Sequence, residues 1–183
     1  MEIAPGTVAP DTVATNKIVM PGADRIVVAL RIFFGLNWLS NAIAKVFNKA
    51  NYDWGWLSFN LVNRDTAHAI LNQGTGSTGI APLRAFYLDV VLPNWGFFQV
   101  FLTIAELAVG IGLLFGIATR LAALGGILLI LPIWLMLFHT NQYFWTYPLD
   151  LFPLVLLAVV PAGRVAGVDG KFLTKIVGER WPF

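Results

Sequence analysis

WGFFQVFLTIAELAVGIGLLF, residues 95–115, decides the fold, because this whole run holds one ionisable side chain, Glu106. About 20 mostly apolar residues in an α-helix cross the roughly 30 Å of hydrocarbon in a bilayer. Only helices and closed barrels satisfy their backbone polar groups in lipid, and barrel strands are shorter and alternate in polarity. Working outward, LAALGGILLILPIWLMLF at 121–138 carries no charge, and YFWTYPLDLFPLVLLAVV at 143–160 carries only Asp150. Upstream, IVVALRIFFGLNWLSNAIAKVF at 26–47 carries Arg31 and Lys45. The connections at 116–120 and 139–142 are short, which forces neighbouring spans to run antiparallel. The sequence predicts an all-α polytopic membrane protein. Its membrane domain, 26–172, is an antiparallel bundle of four transmembrane helices at about 26–47, 95–115, 121–138 and 143–160.

Composition agrees with that reading. Of 183 residues, 57% are hydrophobic and 12% charged, whereas a soluble domain carries roughly a quarter charged residues. Too little charge remains to cover a water-facing surface, and far too much apolar content for disorder. There is no cysteine, which removes disulfides, thiolate metal sites and iron–sulfur ligation by this chain. A formal charge of +2, scattered along the chain, does not suggest nucleic acid as a partner.

The first 25 residues include Pro5, Pro10 and Pro21 with no apolar core, and read as a loosely ordered tail instead of a cleavable signal peptide. The tail at 173–183 is expected on the same side. Between Asn48 and Trp95 lies the largest polar segment. Its middle, NQGTGSTG at 72–79, reads as a flexible, turn-rich stretch. LRAFYLDVV at 83–91 reads as an amphipathic surface helix in this first outer loop. Lys17, Arg25, Arg31, Arg120, Arg164, Lys171, Lys175 and Arg180 fall on one side, against Lys45, Lys49, Arg64 and Arg84 on the other. The positive-inside bias predicts a multi-pass protein of the plasma membrane with both termini cytoplasmic.

Polar groups inside a span are costly, so their placement is the strongest functional signal. At 100° per residue, Arg31, Asn37, Asn41, Lys45 and Asn48 share about a third of the first helix, with Phe34 and Trp38 in the same arc. Gln99, Thr103, Glu106 and Gly110 share a face of the second span, and Tyr143, Tyr147 and Asp150 one of the fourth. Asn37 and Glu106 each lie eleven residues into their helices, about 16 Å deep. Both are therefore expected near the midplane, with Lys45 about 12 Å further out beside His139 and Asp150. The stripes predict a polar chamber open to the outside. Glu106 is the candidate catalytic carboxyl for proton transfer; its bland alternative is a lock between helices. Asn37, Trp38, Asn41, Lys45, His139 and Asp150 are the candidate substrate-binding residues. Lys45 could instead snorkel or pair with Asp150, Arg31 could snorkel to the inner interface, and His139 could be merely interfacial. His68 and His139 lack the spacing of metal or haem ligands, so no metal site is expected and no flavin motif is present.

The segment AELAVGIGLLFGIATRLAALGGILL at 105–129 resembles the central signature of the DoxX-like membrane family, with its G-x-x-T-R turn at Gly116–Arg120. LRIFFGLNWLSNAIAKVFN at 30–48 resembles that family's opening helix, and GRVAGVDGKF at 163–172 its closing G-R-x-x-G-x-D segment. The outer loop ending in LPNWGFF looks more like the DoxD branch. The resemblance implies a four-helix membrane subunit of a respiratory thiosulfate:quinone oxidoreductase, acting with quinone and with a DoxA-type partner subunit or a larger respiratory complex. It matches Arg31, Lys45, Glu106, Arg120, Arg164, Gly167 and Asp169 to family positions. Of these, Arg31, Arg120, Arg164 and Asp169 are expected to be structural.

Two functional readings follow. In the first, Lys45 and His139 attract a thiosulfate-like anion. Phe34, Trp38 and Trp134 then flank a quinone ring while Glu106 moves its proton. In the second, the chain is a non-catalytic subunit that anchors or assembles a larger complex, and the polar stripes only hold helices together. A small-solute transporter is the weakest reading, because the sequence lacks repeats and broken half-helices.

Overall fold

The computed structural model describes residues 22–139 and 143–173. It is mostly helical. The elements are α1 (Ala23–Phe47), a hairpin of β1 (Asn51–Asp53) and β2 (Ser58–Asn60), α2 (Arg64–Ser77), α3 (Ala81–Phe86), α4 (Trp95–Phe115), α5 (Thr119–Met136), α6 (Pro148–Val159) and α7 (Ala162–Ala166). A π-helical turn, Tyr87–Val91, continues α3, and a second, Asp169–Leu173, follows α7. Three helices, α1, α4 and α5, are long and apolar enough to cross a membrane. Large apolar side chains on their outer faces are bare, among them Phe33, Ile104 and Leu128. Such a surface is compatible with lipid contact.

The core lies where four helices meet: Phe34 and Trp38 of α1, Val109 and Leu113 of α4, Ala123 of α5, and Leu154 and Leu157 of α6. Two glycines set the closest approach in it. A Cβ on Gly35 would fall 2.5 Å from the Leu114 backbone nitrogen, and one on Gly110 would fall 2.7 Å from that of Leu39. Pairing 35 with 114 and 39 with 110 makes α1 and α4 an antiparallel pair in backbone contact, as small residues allow in membranes.

At the end of the bundle near Gly116, the two motifs singled out in the sequence interlock. Gly116 (φ 68°) ends α4 in the left-handed region, and Ala118 (φ 45°) precedes α5 in the same conformation. Asp169 supplies the missing cap for α5. Its carboxylate accepts from the Ala118 N–H at 2.7 Å, the Thr119 N–H at 3.0 Å and the Thr119 hydroxyl at 3.1 Å. The Asp169 N–H returns a bond to the Gly116 carbonyl at 2.9 Å. A carboxylate on the first free N–H groups of a helix is favoured by both hydrogen bonding and the helix dipole.

Several sequence expectations need correction here. The chain is not purely helical, since residues 51–60 form a two-stranded hairpin with Tyr52 opposite Phe59. The stretch 72–79 is not a flexible turn through most of its length: α2 runs to Ser77, because Gly74 and Thr75 are buried and Gly74 packs against Met136. Tertiary packing thus overrides the poor helix propensity of its glycines. The fourth apolar helix covers 148–159, not 143–160. Pro148 opens it at the position where a missing N–H costs nothing, and Val160 is extended ahead of Pro161. The segment 83–91 is helical as α3 and its π-helical continuation. The tails 1–21 and 174–183 lie outside the described residues, as does 140–142.

Candidate functional site

The register that Gly35 and Gly110 impose brings the cation of α1 to the acid of α4. Lys45 Nζ lies 2.8 Å from Glu106 Oε2, with the two side chains only 2% and 12% exposed. Lys45 also donates to the Val62 carbonyl at 2.9 Å. The Val62 N–H in turn donates to Asn41 Oδ1 at 2.9 Å, and Asn41 Nδ2 donates to the Asn37 carbonyl at 3.0 Å. Asn48, in the left-handed region at the end of α1, carries the chain onward. It accepts from the Arg64 N–H and donates to Asp65. The segment between β2 and α2 is therefore stitched to the polar stripe of α1 by main-chain groups.

This network forms one edge of a cavity of about 400 Å³. Asn37, Trp38, Asn41 and Lys45 come from α1, Glu106 from α4, and Tyr147 and Asp150 from the start of α6. The opposite walls are apolar: Ile70 and Leu71 of α2, Phe86, Tyr87 and Val91 of the outer segment, and Trp95, Phe98 and Phe101 of α4. Burial pushes the Tyr87 phenol above its ordinary range, so it faces the cavity protonated. Trp38 is 6% exposed, and its indole Nε1 is buried with no hydrogen-bond partner among the described residues. Gly126 makes room for this ring, because a Cβ there would lie 3.1 Å from Trp38 Cζ2.

Six of the candidate residues, Asn37, Trp38, Asn41, Lys45, Glu106 and Asp150, line this single cavity. His139 ends a 3₁₀ turn after α5, and its side chain lies outside the described part. Two details depart from the helical-wheel reading. Lys45 pairs with Glu106 and not with Asp150, and Glu106 sits at the level of Lys45, not of Asn37. Counting from the span ends treats both helices as starting at one depth, whereas the glycine contacts set their true stagger. Phe34 belongs to the core, and Trp134 packs on Phe138 and Phe144 instead of flanking the cavity. Tyr143 is exposed.

Arg31 does not snorkel. It is 1% exposed, and its guanidinium donates to the Ala162 carbonyl at 3.1 Å and the Ala166 carbonyl at 2.9 Å. Arg120 donates to the Val159 carbonyl at 3.0 Å, tying the start of α5 to the end of α6. The Arg164 main chain sits against Gly170, where any side chain would collide with it. Sequence reasoning missed the main chain of Val62, which no side-chain pattern could reveal. It also missed Tyr87 as a cavity residue, although Leu83, Tyr87 and Val91 recur at helical spacing and pack together with Leu71. No group of three or more potential metal ligands occurs among the described residues. Neither a family model nor a curated protein nor a solved structure matches the chain.

Proposed function

We propose that this chain is a four-span membrane protein that holds a quinone in the cavity beside the Lys45–Glu106 pair. On this reading it is the membrane subunit of a respiratory quinone-linked oxidoreductase, of thiosulfate:quinone type. The observation that carries the reading is the shape of the chemistry: apolar walls around one polar edge that holds a buried ion pair. Binding sites for small amphiphiles have this form, with few polar groups fixing orientation. A quinone presents a carbonyl acceptor to Lys45 Nζ, and a flat apolar ring to Trp95 and Phe98.

α6 spans about 18 Å at 1.5 Å per residue, so the segments flanking it complete the fourth crossing. The bundle is then up-down-up-down, with both termini cytoplasmic in the plasma membrane and the hairpin outside. The reaction joins two thiosulfate ions through a new S–S bond to give tetrathionate. The two electrons released, with two protons from water, convert the quinone to its hydroquinone, and on this reading Glu106 passes one of those protons. A DoxA-type partner subunit would complete the outer side.

A second reading, an anchoring or assembly subunit without chemistry of its own, is favoured by one feature. Trp54 and Trp56 of the hairpin are 61% and 87% exposed, as a docking surface requires. Thiosulfate-dependent quinone reduction by the protein, purified with whatever subunits accompany it, separates the two. Turnover that falls at least tenfold in Glu106→Gln supports the first reading. Unchanged turnover in that variant removes Glu106 from the chemistry and leaves the anchor.

A further inference from the structure

A second space adjoins the polar cavity. Phe101 of α4 and Leu128 and Leu129 of α5 line the cavity, and the same three residues line this second space, also of about 400 Å³, between α4 and α5. That crevice is walled by Ala105, Ala108, Val109, Leu121, Ala122 and Gly125, without a charged or amide side chain. It follows α4 from Phe101 to Val109 and α5 from Leu129 back to Ala118, about 12–16 Å by helical rise. Helices with facing small residues ordinarily close on one another. Here the approach is tightest near the turn, where a Cβ on Gly112 would lie 2.7 Å from that of Ala122. Further along the pair is looser, and a Cβ on Gly125 would meet Val109 Cγ2 in ordinary contact at 3.4 Å. Where the two spaces adjoin, Phe101 and Leu128 are 54% and 70% exposed, so their shared border lies on the outer apolar surface.

We infer that the ligand is a long-chain amphiphile whose polar head lies against Asn41, Lys45 and Glu106 and whose hydrocarbon tail lies in the α4–α5 crevice. The tail enters between Phe101 and Leu128. This inference rests on the cavity being a binding site, as argued under Proposed function, and adds the class of molecule that fills it. A polar head alone uses the first space and leaves the second bare. A hydrocarbon chain fits the second because it offers no hydrogen bond and gains contact along its whole length.

The test compares two probes with the detergent-solubilised full chain: a benzoquinone bearing an isoprenoid chain, and the same benzoquinone with no chain. Binding is followed by quenching of tryptophan fluorescence. The chain-bearing compound binds wild type more tightly. Gly125→Leu fills the crevice and weakens that compound by about tenfold for every two methylenes kept out, while the chainless compound is unaffected. Ala108→Leu, on an exposed face of α4, gives the same pattern, and retained binding of the chainless compound certifies that each variant is folded. Unchanged affinity of the chain-bearing compound in both variants overturns the crevice assignment and leaves the cavity standing. If neither compound binds wild type, the cavity reading falls and the inference with it; if only the chainless one binds, the tail assignment alone falls.

Discussion

Replacing Lys45 by methionine keeps the length and apolar stem of the side chain and removes only its charge and donors. Two losses follow. The Glu106 carboxylate, 12% exposed and 2.8 Å from the ammonium, is left without its partner. Breaking a buried ion pair on one side costs about 3–5 kcal/mol. The Val62 carbonyl also loses its donor at 2.9 Å, a further cost of roughly 1 kcal/mol. The sum, about 4–6 kcal/mol, corresponds to a fall of roughly 8–24 °C in Tm for a chain of this size. Circular dichroism of the protein melted in detergent measures it. The double variant Lys45→Met/Glu106→Gln removes the stranded charge and should recover more than half of that fall. A Lys45→Met protein melting within about 2 °C of wild type, or a double variant no better than the single one, refutes the claim that this pair is buried and mutually dependent.

Gly110→Ala drives a methyl group onto the Leu39 backbone and is expected to cost about 1–3 kcal/mol in thermal unfolding. Gly76→Ala, with nothing within 4 Å, should instead stabilise α2 by up to about 1 kcal/mol. Asp169→Ala strips three donors of their acceptor at the start of α5 and should cost about 2–3 kcal/mol, partly restored in Asp169→Asn. Trp38→Phe shrinks a core ring that packs against Gly126 and is expected to cost about 1–3 kcal/mol in thermal unfolding, measured by circular dichroism.

How much of this was legible in the sequence depends on the distance over which each feature is decided. Trp95–Phe115 is a helix because a long apolar run in lipid must satisfy its backbone polar groups within itself, and its bounds match the structure. Asn37, Asn41, Lys45 and Glu106 reach one cavity because polar groups on two apolar helices have nowhere cheaper to go. The partner of Lys45 was not legible, since it depends on the stagger of α1 and α4, which two glycines set through backbone contact. Nor was the hairpin at 51–60, whose strands are three residues each and too short for a period to be seen. Gly74 and Gly76 disguised α2 as a turn, because the contact that makes Gly74 useful, Met136, lies on a helix sixty residues away. The fate of Arg31 was hidden for the same reason. Its acceptors, Ala162 and Ala166, are main-chain carbonyls at the far end of the chain.

The measurement closest to the centre of the account is photolabelling of the membrane-embedded protein with an azido-quinone, followed by residue-level mapping of the adducts by fragmentation. Labels confined to the cavity residues, such as Trp38, Lys45, Trp95 and Glu106, are the predicted outcome. Labels on lipid-facing residues such as Phe33, Leu36 and Ile104, with the cavity residues unmarked, contradict it.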